Sequence, residues 1–291
     1  MAEITKLSEA ISALIHDGDS VITEGFTHLI PHAAGHEIVR QSRQELCLIK
    51  MTPDIICDQI IGMGLVRQLR FSWGGNPGVG SLHRLRDAVE NAWPRPIKLA
   101  ERSHADLATA YAAGAGGLPF GVIRGYTGTD LSGKNSDEIR PINCPFSGEK
   151  LMAVKAVNAD VAVIHAQRAD RRGNVQLWGI MGIQKEAVLC AQRSIVTVEE
   201  VVDELEPVPD QVILPGWIVT AVCEVPGGAH PSYTLGYDKR DNQFYSDWDA
   251  ISRDREGFRH WMERHVLGTD DFEEFKRSLG AAQKQEHSGA S

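Results

Sequence analysis

Short apolar runs alternate with helical patterns along most of this chain, and that alternation constrains the fold more than any single motif. Residues 7–16 carry apolar side chains at Leu7, Ala10, Ile11, Leu14 and Ile15, the spacing of one helix face. Asp17-Gly18-Asp19 breaks the pattern, and residues 20–23 read as a buried strand. Pro31 suits a first helical turn and opens a helix to about Arg43. Strands then read at 46–51 and 69–73, a helix at 82–92, a strand-like run at 97–100 and an Ala-rich helix at 106–114. In the second half, apolar runs at 161–166 and 195–198 flank a helical stretch at 184–192. Such an order predicts an α/β fold, a mostly parallel twisted sheet with helices on both faces.

The 291 residues show no internal repeat and no linker wide enough to divide them. One domain is expected over 1–267. Trp248, Phe258 and Trp261 imply that the stretch before Gly268 still packs. A charged, polar tail is expected over 268–291, with 283–291 disordered. Residues 128–140 read as a polar surface loop. The formal charge of −9 argues against a surface that coats nucleic acid, which needs a basic excess. The longest apolar runs, such as 161–164 and 211–214, are far shorter than the ~20 residues of a membrane span. Nothing at the start reads as a signal peptide, and five widely spaced cysteines without a CxxC pair read as free thiols, so a cytoplasmic location is expected. Glycine is in excess, 28 residues against about 20 at the average frequency. Such an excess points to tight loops and to backbone close to a ligand.

Three places combine a strand end, a turn and a helix start. The first runs from Asp17-Gly18 through Glu24-Gly25-Phe26 to Pro31. In a parallel sheet, ligands gather at the carboxyl ends of strands, and a helix N-terminus there favours an anion. The second is the Gly-rich run 72–81, with Ser72, Gly74, Gly75, Asn76, Gly78, Gly80 and Ser81. It matches neither a Walker loop nor the dinucleotide fingerprint. The third is Glu101-Arg102-Ser103-His104, where Ser103 can cap a helix, His104 can donate an N–H to a developing oxyanion, and Glu101 can act as acid or base. In each case a plain strand–turn–helix connection is the competing reading. His28, His32 and His36 are spaced by four, but Pro31 separates His28 from the helix and no metal site is expected. Asp170-Arg171-Arg172-Gly173-Asn174 and the segment 225–232 read first as structural turns, with glycines able to line a pocket or an interface as the alternative. Cys57 and Cys144 carry no sign of activation.

Asp17-Gly18, Glu24-Gly25-Phe26 and Pro31 together resemble the opening signature of the class I coenzyme A transferases, the 3-oxoacid CoA-transferase family. The likeness continues through 72–81, 114–119, 170–174 and 198–202, in the same order along the chain. Segment 225–232 is similar to the A (alpha) subunits of the glutaconate and 3-oxoadipate branch. Two departures stand out. Glu24 occupies a position usually held by Gly, and His104 stands where the 3-oxoacid enzymes place a Gln near the oxyanion. The resemblance implies the CoA-transferase fold, shared with sugar-phosphate isomerases. It implies no permanently bound cofactor, with a coenzyme A thioester as substrate. It further implies CoA transfer from an acyl-CoA, succinyl-CoA being the expected donor, to a small dicarboxylic or 3-oxo acid such as 3-oxoadipate or glutaconate. In that family the thioester is attacked by a Glu of the B (beta) subunit, so this chain is expected to lack the nucleophile and to pair as A2B2. Glu24, Gly25, Phe26, the 72–81 loop and Ser103 are expected at the substrate, with Glu101 and His104 catalytic. Two other uses of the fold remain open. One is a decarboxylase or ring-opening hydrolase of CoA thioesters, with Glu101 and His104 as its working groups. The other is a non-catalytic ligand-binding relative.

Overall fold

The computed structural model describes residues 2–126, 128–130, 133 and 137–288. The chain begins with β1 (Glu3–Ile4), α1 (Leu7–Leu14), β2 (Ser20–Glu24), α2 (His32–Arg40), β3 (Leu46–Ile49) and α3 (Ile55–Gly62). It continues with β4 (Val66–Phe71), α4 (His83–Glu90), β5 (Lys98–Glu101) and α5 (His104–Ala115). A hairpin region follows, with β6 (Phe120–Ile123), β7 (Ile139–Asn143) and β8 (Lys150–Lys155). The second half carries β9 (Ala159–Asp170), β10 (Val175–Leu177), α6 (Gln184–Leu189), β11 (Ala191–Val202), β12 (Val212–Leu214) and β13 (Ala221–Glu224). Three helices close the chain, α7 (Asn242–Arg253), α8 (Arg255–Met262) and α9 (Phe272–Ser288), with a π turn at Glu263–Leu267 between the last two.

Eight strands form one parallel path in the order β1-β13-β11-β9-β2-β3-β4-β5. Strand β10 pairs antiparallel with β9 and with β12. Successive side chains of a strand point to opposite faces, so a doubly covered sheet needs apolar residues at every position. β2 obeys this rule: Val21 packs with the buried residues of α1, α2 and α3, and with Trp248, Phe258 and Met262. Its neighbour Ile22 packs on the other face with Leu107, Ala110 and Tyr111 of α5 and Ala187 of α6. Each such fully buried aliphatic side chain contributes roughly 1.5–3 kcal/mol.

The path turns at β2. From β2 the chain proceeds outward through β3, β4 and β5, while β9, β11 and β13 lie on the other side. The crevice at such a reversal is where open α/β sheets bind ligands.

Three regions differ from the expectations above. α3 replaces an expected connection. A second sheet, β6-β8-β7, is antiparallel and built on Phe120–Lys155 pairing. Of the loop expected at 128–140, Ile139 and Arg140 already belong to β7, and residues 131, 132 and 134–136 lie outside the described residues. The stretch expected as a polar tail forms α9, whose Phe272 and Phe275 are buried against Ala33. Of the disorder expected at 283–291, residues 289–291 lie outside the described residues. Among the described residues no helix is long and apolar enough to cross a membrane.

Candidate active site

The carboxyl ends of β2, β3, β4 and β5 carry the loops singled out in the sequence, and hydrogen bonds join each loop to the next. Glu24 Oε1 accepts the Met51 N–H at 2.8 Å. The Met51 carbonyl accepts the Ser72 hydroxyl at 2.7 Å. The Phe71 carbonyl accepts the Arg102 N–H at 2.8 Å. Adjacent strands lie ~4.8 Å apart, so the row from β2 to β5 spans roughly 15 Å, enough for an extended ligand.

The 24–31 turn is closely determined. A Cβ on Gly25 would stand 2.5 Å from the Leu29 carbonyl oxygen and 2.7 Å from Ile30 Cα, so no side chain fits there. Gly25 is buried, and Phe26 beside it is 46% exposed. Two non-glycine residues, Thr27 and Leu29, hold φ of 57° and 54°. Beneath the turn, Lys50 is fully buried and donates to the carbonyls of Thr23 (2.6 Å) and Gly25 (3.2 Å), with Asp54 3.4 Å away as its counter-charge.

Glu24 is 3% exposed and also accepts from the Tyr111 hydroxyl at 2.9 Å. Burial raises its pKa against the opposing pull of Lys50 and the two hydrogen bonds. Its carboxylate supports the turn from below and is not presented to solvent. Neither do the buried thiols Cys57, Cys190 and Cys223 offer a nucleophile, since burial pushes each up to about 12.

The Gly-rich loop after β4 is anchored at its base and open at its tip. Asn76 is buried, donates its side-chain amide to the Tyr245 carbonyl at 2.7 Å, and exchanges backbone hydrogen bonds with Gly80. The Pro77 carbonyl accepts from Arg240 at 2.6 Å. Gly75 is buried, whereas Gly74, Gly78, Gly80 and Ser81 are exposed, and Gly78 holds φ of 80° with open space around it.

After β5, Ser103 caps α5 by accepting the Asp106 N–H at 3.1 Å. His104 is the first residue of that helix and is exposed, as is Glu101 at the strand end. Between them Arg102 is buried, its guanidinium gripped by Asp106 and by Glu138 (2.5 Å). Tyr126 completes the cluster, donating to Asp106 at 2.5 Å and accepting the Ser103 N–H at 2.8 Å.

The spaced histidines do not converge. His28 Nδ1 meets the Ile180 carbonyl and Nε2 accepts the Leu235 N–H, each at 2.9 Å, while His36 faces Gln59. Among the described residues no group of three or more His, Cys, Asp or Glu is placed to hold a metal. Sequence reasoning missed Lys50 and Tyr111, which act under the site. Their signal was a charged or phenolic group inside an apolar run, legible only once the strand and helix are placed.

Known proteins resemble this chain in sequence and in fold. The family model described as coenzyme A transferase matches residues 4–225. The A chain of the 3-oxoadipate CoA-transferase of Pseudomonas knackmussii is 58% identical over 96% of this chain and 99% of its own length. The crystal structure of glutaconate coenzyme A-transferase from Acidaminococcus fermentans is similar with a TM-score of 0.90 at 30% identity, covering 97% of this chain and 94% of that one. The structure of the decarboxylase AibA/AibB is similar with a TM-score of 0.79 at 25% identity, over 90% and 98%. The chain therefore belongs to the coenzyme A transferase family.

Proposed function

We propose that this chain is the alpha component of a two-chain CoA-transferase that moves CoA from an acyl-CoA, with succinyl-CoA as donor, to a small dicarboxylic 3-oxo acid of the 3-oxoadipate type. The observation that carries the reading is the state of Glu24. The carboxylate at the β2 end of the row is buried and engaged by Met51 and Tyr111. The nucleophile is then a Glu of a beta subunit, brought against the 24–31 turn in an A2B2 assembly. The high identity to the corresponding chain of a 3-oxoadipate CoA-transferase supports the substrate class.

In this reading the beta-subunit carboxylate attacks the thioester carbonyl and expels CoA thiolate, leaving an acyl-glutamyl anhydride. The thiolate attacks the glutamyl carbonyl, the donor acid leaves, and the acceptor carboxylate runs the two steps in reverse. His104, exposed at the start of α5, offers a ring N–H to the oxyanion of each tetrahedral intermediate. The exposed backbone of 78–81 takes the CoA chain, whose binding energy lowers the barrier at the distant carbonyl. Glu101, exposed at the strand end, lies beside the acyl group.

The test is to purify the chain together with its beta partner, then follow succinyl-CoA with 3-oxoadipate. Acceptor-dependent formation of a new acyl-CoA, and borohydride trapping of a CoA-linked Glu on the beta chain, are the expected results. Release of free CoA or of carbon dioxide without a new thioester would replace the transferase by a hydrolase or decarboxylase. The likeness to the decarboxylase AibA/AibB is what favours that second reading, with Glu101 and His104 as its acid–base pair.

A further inference from the structure

The segment 225–236 makes no strand of its own, yet it grips the back of the 24–31 turn. The Ser232 hydroxyl donates to the Thr27 carbonyl at 2.8 Å. The Leu29 N–H donates to the Tyr233 carbonyl at 3.0 Å, and the Ala33 N–H to the Gly228 carbonyl at 2.9 Å. The Leu235 N–H donates to His28 Nε2 at 2.9 Å, and the His28 and Tyr233 rings lie 4.6 Å apart. These contacts fall on the stretch where Thr27 and Leu29 sit at positive φ. A non-glycine residue in that region is strained and persists only when its surroundings over-determine it.

The gripping segment is itself held by one buried side chain of β11. Glu199 Oε2 accepts the Gly227 N–H at 2.6 Å, and Oε1 accepts the Thr234 hydroxyl at 2.7 Å. His165 of β9 lies 2.9 Å from the same Oε1 and is bound on its other nitrogen to Thr197 at 2.8 Å. Glu199 is 5% exposed, and His165 and Thr234 are not exposed at all. These five groups satisfy one another, as a buried polar network must. Glu199 bonds both ends of a segment whose middle holds the turn.

We infer that Glu199 is a positioning residue: through Gly227 and Thr234 it fixes segment 225–235, and through that segment the left-handed turn that presents Gly25 and Phe26. This rests on the reading of the turn as part of the CoA-transfer site.

The test uses the intact two-chain complex and two readouts. Ser232→Ala and Thr234→Val each remove one hydroxyl from the clamp and leave the fold's core unchanged. Hydrogen exchange of the 25–30 amides should quicken about tenfold in both, with β3 and β4 unaltered. In the transfer assay kcat should fall about tenfold, with KM for the acyl-CoA little changed. Glu199→Ala should do both more strongly, and Glu199→Gln, which keeps the length and an acceptor oxygen, should recover most of the loss. In a Thr27→Gly background, where positive φ carries no strain, Ser232→Ala should cost less than in the Thr27 protein. Unchanged exchange over 25–30 in both hydroxyl variants would overturn the clamp. Faster exchange with an unchanged transfer rate would overturn its role in positioning. A wild-type complex without transfer activity would count against the CoA-transfer reading, and the exchange measurement would still decide the clamp.

Discussion

Two loops at the same edge of the sheet do their work in opposite ways. The 24–31 turn after β2 is held from beneath by Lys50, from behind by Ser232, Tyr233 and Leu235, and from within by the absence of a Cβ at Gly25. The 72–81 loop after β4 is tied at Ser72, Asn76 and Pro77, and then leaves Gly78, Gly80 and Ser81 open to solvent. Both follow a parallel strand and precede a helix, and both contain glycine. The difference lies in what glycine serves. At Gly25 it permits backbone to pack on backbone, and the result is a rigid element. At Gly78 it permits a backbone conformation in empty space, and the result is an exposed loop tip. Under the proposed reading, the rigid turn sets the geometry of the chemistry and the open loop supplies contact.

Substitutions can break this contrast, the largest effects being expected at the rigid turn. Gly25→Val forces a side chain into the Leu29 carbonyl. It should lower transfer by about a hundredfold or more, since misplacement near 1 Å has that effect, and should lower the Tm as well. Retained activity with an unchanged Tm would mean that the turn adapts after all. His104→Ala should come next, with kcat down about 10²–10³-fold for an oxyanion donor and an unchanged Tm, because the side chain is exposed. Unchanged turnover in an intact complex would remove His104 from the chemistry. Gly78→Val should act on KM. A β-branched residue at φ 80° is strained by ~1–2 kcal/mol, which corresponds to roughly a tenfold rise in KM for the acyl-CoA. A silent substitution there would make the open loop a plain connection.

The smallest effect concerns a helix packed behind the turn. His36 of α2 is held down to about 3 by burial and, less strongly, by Arg40. Between pH 3 and the ordinary value near 6.5 the unfolded chain binds a proton at this residue and the folded chain does not. Stability from this group is therefore complete above about pH 6.5 and declines as the pH falls toward 3. Asp58, pushed up to about 6 by burial, works in the opposite sense below pH 6. The measurement is the slope of Tm against pH between 6 and 4 in wild type and in His36→Leu, where the variant should show less acid destabilisation. Equal slopes would place the acid sensitivity elsewhere.

The central strands are legible because doubly covered parallel strands are apolar runs. The run expected at 20–23 is β2, and 46–51 contains β3. β9 and β11 read as six and four residues in the sequence but extend over twelve each. Polar residues such as Gln167, Glu199 and Glu200 end the apolar pattern, and in the fold each finds a hydrogen-bond partner within the protein. α3 escapes detection because Ile55, Ile56, Asp58, Gln59 and Ile60 are all buried, which leaves no amphipathic period. α9 reads as a tail because apolar residues are sparse along it, yet Phe272 and Phe275 are buried. At the site, the three loops and their order are readable from strand–turn–helix punctuation. What is not readable is the direction of Glu24. A carboxylate at a strand end looks the same in a sequence whether it faces a ligand or, as here, a tyrosine and a backbone amide on the far side.

The Arg102 cluster has a consequence for substrate choice. Asp106 takes Nε and one amino group of the guanidinium, and Glu138 takes the other while also pairing with Arg70 at 3.0 Å. An acid arriving at the end of β5 meets an arginine already neutralised by two carboxylates. Under the two-chain reading, discrimination among acids by charge then falls to the other chain. On that reading labour is divided: this chain preserves the scaffold of the reaction, and a change in the other chain alters which acid is accepted without disturbing it.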